Sequence, residues 1–225
     1  MVDVNAQIDA VTRSIETKEV DDALAYVQTL AQTYPSPIDD VWSAVTSAER
    51  IPRWFLPISG DLRLGGSYQF EGNAGGEIQR CDPPNDGVAG YTVTWGMGMG
   101  EPAIVNVRLV ALDASSTRLE LENVATAASV PEGFWEQFGP SATGIGWDQG
   151  LLGLALHFAG GAGGIAPEEA AAWVMTDEGK SFMRRSADAW AAAQQHDGTA
   201  ADVAKAAADR TYGMYTGELP PPEMG

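Results

Sequence analysis

The order of its predicted elements favours an α+β fold, in which an antiparallel sheet packs against helices. Three observations lead to this prediction: two short helices early in the chain, alternating strands in the middle, and a helical period after residue 131. No β-α-β alternation points to a parallel sheet. The expected architecture is therefore a run of antiparallel strands that packs against a long closing helix.

Residues 36–57 predict two short helices that follow a first strand over residues 26–34. Ser36 is a candidate N-cap, and Pro37 suits the first helical position. Apolar residues recur at helical spacing, at Ile38, Val41, Trp42 and Val45. Ser47 then opens a second turn, after which Trp54 and Phe55 direct the chain toward the next strand.

A run of strands follows, each recognised by alternation of apolar and polar side chains. The clearest covers residues 62–70, where Leu62, Leu64, Tyr68 and Phe70 are expected on one face. Further strands are predicted over residues 78–81, 91–95, 104–112 and 118–123. Short turns of Gly, Pro or Asp separate them, so we expect an antiparallel meander.

After Pro131 the apolar period becomes helical, and Trp147, Leu151, Leu154 and Phe158 predict the long helix. Four glycines over residues 160–164 end it. We divide the chain into an N-terminal arm (1–24), a sheet-and-helix domain (25–165) and a helical C-terminal extension (166–225) packed on that domain. The tail is expected to be mobile from about residue 218.

Composition limits the classes of partner. The chain has 225 residues and a net charge of −18, which argues against nucleic acid and anionic membrane surfaces. The most apolar stretch, residues 151–166, is too short and too rich in glycine to span a bilayer. No signal peptide is visible and the only cysteine is Cys81, so we expect a soluble cytoplasmic protein.

Several motifs resemble the helix-grip proteins of the START-like superfamily, also called SRPBCC or Bet v 1-like. They are P-I-D-D-V-W, R-W-F-L-P, D-L-R-L-G-G-S-Y, Y-T-V-T-W, R-L-E-L-E and F-G-P-S-A-T-G-I-G-W-D, all between residues 31 and 160. The likeness is strongest to bacterial members called Activator of Hsp90 ATPase homologue 1-like. That resemblance implies a hydrophobic cavity between the curved sheet and the long helix.

The resemblance also implies which side chains line this cavity. On matching positions they are Trp54, Phe55, Tyr68, Phe70, Tyr91, Trp95, Trp135, Phe138, Trp147 and Leu151. For each of them ordinary core packing is the alternative interpretation.

The W-G-M-G-M-G-E segment lies between two strands, so it is not a phosphate-binding loop. We interpret it as a hairpin whose Met97 and Met99 form a candidate gate at the cavity mouth, and a mobile loop without a role is the alternative interpretation.

Residues suited to catalysis or metal binding are few. His157 lies in the apolar helix and is the weak candidate for a general base, whereas His196 lies in a polar segment. Neither histidine has a cysteine or second histidine at ligand spacing, so no metal site and no cofactor are expected. Cys81 has no nearby histidine, which argues against a nucleophile.

Three functions remain open on the sequence alone. The first is non-catalytic binding of a small hydrophobic molecule, as a carrier or sensor. The second is an aromatase- or cyclase-like enzyme that uses the same cavity. The third is a protein-interaction or cochaperone-like module, with a homodimer or another protein as partner. We favour the binder because the sequence offers no convincing catalytic constellation.

Overall fold

The computed structural model describes residues 3–98, 100–160 and 167–220. In this part of the chain eight antiparallel strands form a curved sheet with the order β1-β2-β8-β7-β6-β5-β4-β3. The strands are β1 (Thr12–Val20), β2 (Ala23–Tyr34), β3 (Ile58–Gly60), β4 (Ser67–Phe70), β5 (Gly75–Asn85), β6 (Val88–Trp95), β7 (Ala103–Asp113) and β8 (Ser116–Thr126). The helices are α1 (Val4–Ala10), α2 (Ile38–Thr46), α3 (Phe134–Phe138), α4 (Ser141–Phe158), α5 (Pro167–Val174), α6 (Asp177–His196) and α7 (Ala201–Tyr215). The predicted α+β helix-grip fold is confirmed.

Alternation along the central strands decides which face of the sheet packs against the helices. In β7, Val105, Val107 and Leu109 are buried, whereas Asn106 lies on the opposite face because successive side chains point to opposite sides. Leu109 pairs across the ladder with Leu119 of β8. One face of the sheet is therefore continuously apolar and can wrap around α4.

The N-terminal segment, which the sequence sets apart as an arm, forms α1 and an edge strand of the sheet. β1 pairs with β2 from Thr12↔Ala31 to Val20↔Ala23. Ile15 is the fully buried residue of β1, so the strand has no regular alternation that sequence could reveal. Residues 12–20 are thus part of the sheet and not a separate arm.

The two predicted helices after β2 are present, but their caps differ from expectation. Ser36 does not cap α2, because its Oγ donates to Asp40 Oδ2 at 2.5 Å. Pro37 precedes the helix and provides no side-chain cap. Ser47 ends α2, and a single 3-10 turn (Ile51–Arg53) follows as the second helix. The chain then reaches Trp54 and Phe55 as predicted.

The strand predicted over residues 62–70 is shorter than its sequence pattern indicates. Residues 62–66 form a turn in which Gly65 has a φ of 77°, a conformation that disfavours other residues. Leu64 is consequently 62% exposed and does not share the buried face of Tyr68 and Phe70. Strand β4 begins only at Ser67.

The long helix α4 separates two hydrophobic cores. On one side Leu151 and Leu154 pack with the sheet and α2. On the other side Ile145 and Leu152 pack with Phe182 and neighbouring residues of α6 and α7. Because α4 is covered on both sides, its sequence is apolar all round rather than strongly amphipathic.

None of the helices in the described ranges combines the length and the hydropathy that a bilayer span requires.

A buried ion pair joins α4 to the N-terminal strand and to α6. Arg13 Nη2 donates to Asp148 Oδ1 at 2.8 Å, and the two side chains are 6% and 1% exposed. Ser186 Oγ and Trp190 Nε1 donate to Asp148 Oδ2 at 2.5 and 3.2 Å. The guanidinium also donates to the carbonyls of Ile8 and Val11. A buried carboxylate needs this full set of donors, so the network fixes how the three elements meet.

We expect Asp148→Ala to lower the free energy of unfolding by about 3–5 kcal/mol, because it leaves the Arg13 guanidinium buried without its carboxylate. Asp188→Ala is the matched control: Asp188 is 57% exposed, and its partner Arg184 retains Asp209. We expect the control to change stability by less than about 1 kcal/mol. Urea unfolding of both variants measures the difference, and equal losses would show that the buried pair has no special role.

Candidate functional site

An inner cavity lies between the sheet, α2 and α4. Its volume is about 140 Å³. Most of the predicted cavity residues line it, namely Trp54, Phe55, Tyr68, Phe70, Tyr91, Trp95, Trp147 and Leu151. These side chains come from the segment after α2, from β4 and β6, and from α4. The structure thus brings together residues that are distant in sequence.

The other two predicted residues, Trp135 and Phe138, lie elsewhere. The Trp135 ring stacks on Tyr26 with the ring centroids 3.8 Å apart. Phe138 is buried and packs on Phe134 at 5.0 Å, while its carbonyl accepts a hydrogen bond from Thr211 of α7. Both belong to α3, which packs beside α7 and not over the cavity. Assigning them to the cavity wall was therefore wrong.

Aliphatic side chains that were not predicted complete the cavity wall. They are Val45, Ile51, Ile58, Leu62, Ile78, Val93, Val105, Val107, Leu119, Leu121 and Leu154, with Thr46, Cys81 and Gly150. Strand alternation was a usable signal for those on β6, β7 and β8. Gly150 and the half-buried Cys81 gave no such signal, because neither residue type marks a cavity.

Aromatic rings form a continuous chain along one side of the cavity. Phe55 meets Phe70 edge to face at 5.0 Å, Phe70 lies 5.5 Å from Trp95, and Trp95 lies 4.8 Å from Trp147. A hydrogen bond fixes the Trp54 indole beside this row of rings, because its Nε1 donates to the carbonyl of Ala44 at 2.9 Å. Such pairs contribute about 0.5–1.5 kcal/mol each beyond the area they bury, so they stabilise this wall.

The polar atoms in the cavity wall are uncharged. Tyr68 donates its hydroxyl hydrogen to the carbonyl of Thr94 at 2.7 Å. Burial raises the pKa of Tyr68 well above its ordinary value, and burial raises that of Tyr91 in the same direction. Both phenols therefore stay protonated at neutral pH. The inner cavity suits an uncharged, apolar occupant.

A second void, the outer cleft, lies on the other side of the aromatic chain and has a volume of about 790 Å³. Its walls come from the ends of β6, β7 and β8, from one face of α4, and from the C-terminal extension. The contributing residues include Leu56, Met97, Glu101, Asn123, Phe134, Thr143, Gly146, Gln149, Leu156, Trp173 and Tyr215. The outer cleft is more polar than the inner cavity.

Five residues border both voids and form the partition between them. They are Trp54, Phe55, Trp95, Trp147 and Gly150. A Cβ atom at Gly150 would lie 3.8 Å from the Phe55 ring, an ordinary contact. At Gly153 it would lie only 2.2 Å from the Trp54 carbonyl oxygen, so that glycine allows α4 to approach Trp54.

A buried amide network supports the floor of the outer cleft. Gln28 Oε1 accepts hydrogen bonds from Thr143 Oγ1 at 2.6 Å and from Asn123 Nδ2 at 3.2 Å. Gln28 Nε2 donates to the carbonyl of Pro140 at 2.7 Å. Asn123 and Thr143 line the outer cleft, so this network holds two of its polar side chains in place.

The predicted gate residues are only partly described. Met97 lines the outer cleft and is 61% exposed. Met99 lies outside the described residues. Met97 therefore borders the outer cleft and not the inner cavity.

The weak catalytic candidate, His157, lies in the last turn of α4 and lines neither void. Its Nε2 is 3.1 Å from Arg50 Nη2. A guanidinium can only donate, so Nε2 accepts and the proton of the neutral ring is on Nδ1. Arg50 Nη1 in turn donates to Asp40 at 2.6 Å. With its acceptor nitrogen engaged in this way, His157 is poorly placed to act as a general base.

Comparison with known proteins identifies the family. A family model described as Activator of Hsp90 ATPase homolog 1-like protein matches residues 35–158, more than half of the chain. The chain therefore belongs to this family, which confirms the resemblance seen in the sequence. A search of curated proteins gives no match.

Solved structures support the same assignment. The chain is 32% identical to CalU16 from Micromonospora echinospora: the match to its crystal structure covers 82% of this chain and 98% of that chain, with a TM-score of 0.59. The solution structure of CalU16 gives 32% identity, 84% and 97% coverage, and a TM-score of 0.63. EF2215 from Enterococcus faecalis, a conserved protein of unknown function, shares the fold at 13% identity, with 87% and 96% coverage and a TM-score of 0.54.

We predict that Arg50→Met raises the pKa of His157. In the native protein burial lowers this pKa below 6.5, and the positive charge of Arg50 lowers it further. An NMR pH titration of the imidazole in a His196→Gln background, which leaves one histidine, measures the change. An unaltered pKa in the Arg50 variant would contradict the electrostatic role of this arginine.

The lowered pKa of His157 also makes the stability of the fold depend on pH. Because the unfolded chain binds the proton at a higher pH than the folded chain, His157 favours folding fully only above about pH 6.5. Its contribution is lost as the pH falls from there through the lower folded pKa. His157→Gln should therefore flatten the pH dependence of unfolding in this window, as measured by urea unfolding at a series of pH values.

Proposed function

We propose that this member of the Activator of Hsp90 ATPase homolog 1-like family binds a small hydrophobic molecule without transforming it, as a carrier or sensor. The observation that carries the proposal is the apolar cavity between the sheet and α4. Burial of apolar surface supplies the free energy of binding, at about 25 cal/mol per Å². The rings of the aromatic wall already pack on one another, which limits the loss of side-chain freedom when a molecule binds.

The cyclase-like alternative has weaker support. An enzyme of that kind needs an acid or base in contact with the reacting molecule. His157 lies outside both voids, the Tyr68 hydroxyl already donates to the carbonyl of Thr94, and the neutral phenols of Tyr68 and Tyr91 cannot act as bases. Fold analogy cannot replace such a residue, because one fold supports many functions. The protein-interaction module and the cytoplasmic location stay predictions from the sequence.

Toluene is a suitable first probe because an engineered cavity of about 150 Å³ in another protein holds benzene. We expect toluene to shift the NMR methyl signals of Leu121 and Leu154, which line the inner cavity alone. Ile78→Phe adds volume inside the cavity and should abolish these shifts. The measurement is a methyl NMR titration of the native protein and the variant.

Ile104→Phe provides the matched control. Ile104 is next to the cavity residue Val105 on β7 and therefore points to the opposite face of the sheet. This control should bind toluene as the native protein does, and a circular dichroism spectrum checks that both variants are folded. The proposal fails if toluene leaves Leu121 and Leu154 unshifted in the native protein, or if both variants bind it equally.

A further inference from the structure

The inner cavity alone is too small for most natural ligands. Ligand sites usually have volumes of about 300–1,000 Å³, whereas the inner cavity has about 140 Å³. It can hold a group the size of one six-membered ring. A larger molecule must extend beyond it, and the outer cleft, with about 790 Å³, is the adjoining space.

The partition offers a route between the two voids. Its four aromatic side chains leave one position without a side chain, at Gly150. A chain of methylene groups that passes there would contact the Phe55 ring and the indoles of Trp95 and Trp147. The helix tolerates this glycine although alanine would be more favourable in a helix interior.

Polar groups on the outer side define the other end of the occupant. The Nε1–H of Trp147 is buried and has no hydrogen-bond partner in the described part of the chain. A buried donor of this kind is costly unless a ligand or water accepts its hydrogen. The Trp147 indole borders both voids, so a ligand that passes the partition would contact its ring. Beyond it, the polar side chains of Asn123, Thr143 and Gln149 line the outer cleft and can bond an oxygen atom at that end of the occupant.

The negative charge around the outer cleft disfavours an anionic head group. Among the described residues that line the outer cleft, the charged side chain is Glu101. The chain as a whole carries a net charge of −18. Both charges repel an anion, so a carboxylate or phosphate head group is disfavoured relative to an uncharged one.

We propose that the ligand is an elongated, uncharged amphiphile whose apolar end fills the inner cavity and whose oxygen-bearing end lies in the outer cleft, with the connecting chain passing Gly150. This inference rests on the proposed function, and it adds the shape, charge and orientation of the ligand. The experiment therefore needs probes that separate binding in the inner cavity from binding across the partition.

Toluene, 6-phenyl-1-hexanol and 6-phenylhexanoate form such a set, because they share one ring and differ in length and charge. Methyl signals of Leu121 and Leu154 report on the inner cavity, and those of Leu56 and Leu156 report on the outer cleft. We expect the alcohol to shift both groups with one common Kd, at least about tenfold lower than that of toluene. The carboxylate should bind more weakly than the alcohol.

Two substitutions at one position test the route. Gly150→Leu adds a side chain where the voids join and should remove the advantage of the alcohol over toluene. Gly150→Ala, whose Cβ would make an ordinary contact with Phe55, is the matched control and should retain most of that advantage. Both replacements favour the helix over glycine, so both variants should fold.

The outcomes separate the two proposals. If toluene does not shift the inner methyl signals, the proposed function itself fails. If toluene shifts them but the alcohol shifts only one group, binds no more tightly than toluene, or is insensitive to Gly150→Leu, the proposed function stands and the two-void ligand is overturned. Tighter binding of the carboxylate than of the alcohol would overturn the uncharged head group. The indole N–H signal of Trp147, whose ring borders both voids, should also move when the alcohol binds, and an unmoved signal would contradict passage of the ligand across the partition.

Discussion

The Asp148 carboxylate is the constraint on which the arrangement of this protein depends. A buried charge is tolerated only when donors surround it, and here Arg13, Ser186 and Trp190 supply them from β1 and α6. Those donors fix both the position and the rotation of α4. The same turns of α4 carry Trp147, Gly150 and Leu151. Because Asp148 faces β1 and α6, these three residues face the cavity. The ion pair thus sets the geometry of the site without touching it.

The glycines of α4 illustrate how packing overrides helix propensity. Each glycine costs up to about 1 kcal/mol in a helix interior relative to alanine. At Gly153 and Gly144 this cost is offset by close approach: a Cβ atom would lie 2.2 Å from the Trp54 carbonyl oxygen and 2.3 Å from the Trp190 indole. Gly150 differs, because its missing side chain leaves space and not a contact. The same helix therefore uses glycine both for close approach to neighbouring elements and for open space between side chains.

Sequence predicts most of the sheet, because a face buried on one side imposes alternation on β6, β7 and β8. It predicts the cavity residues only where a family resemblance adds the topology. Trp135 and Phe138 show the limit, since a helix of five residues such as α3 has no period that tells which neighbour it faces. Edge strand β1 lacks alternation, and the pairing of Arg13 with Asp148 joins residues 135 positions apart. No local pattern can encode such a pairing, and the outer cleft, which depends on it, could not be foreseen.

The division between the family core and the rest of the chain bears on specificity. The family match ends at residue 158, and the inner cavity is built entirely within it. The outer cleft also uses Trp173 and Tyr215, which lie beyond that match. Tyr215 is held there by a hydrogen bond from its hydroxyl to the carbonyl of Ala142 at 2.9 Å. An apolar cavity discriminates weakly between similar ligands, because each methylene changes affinity only modestly, whereas a site that must satisfy hydrogen bonds discriminates strongly. Residues of the outer cleft would therefore determine which ligand binds among those that share an apolar end. Some of these residues belong to the C-terminal extension.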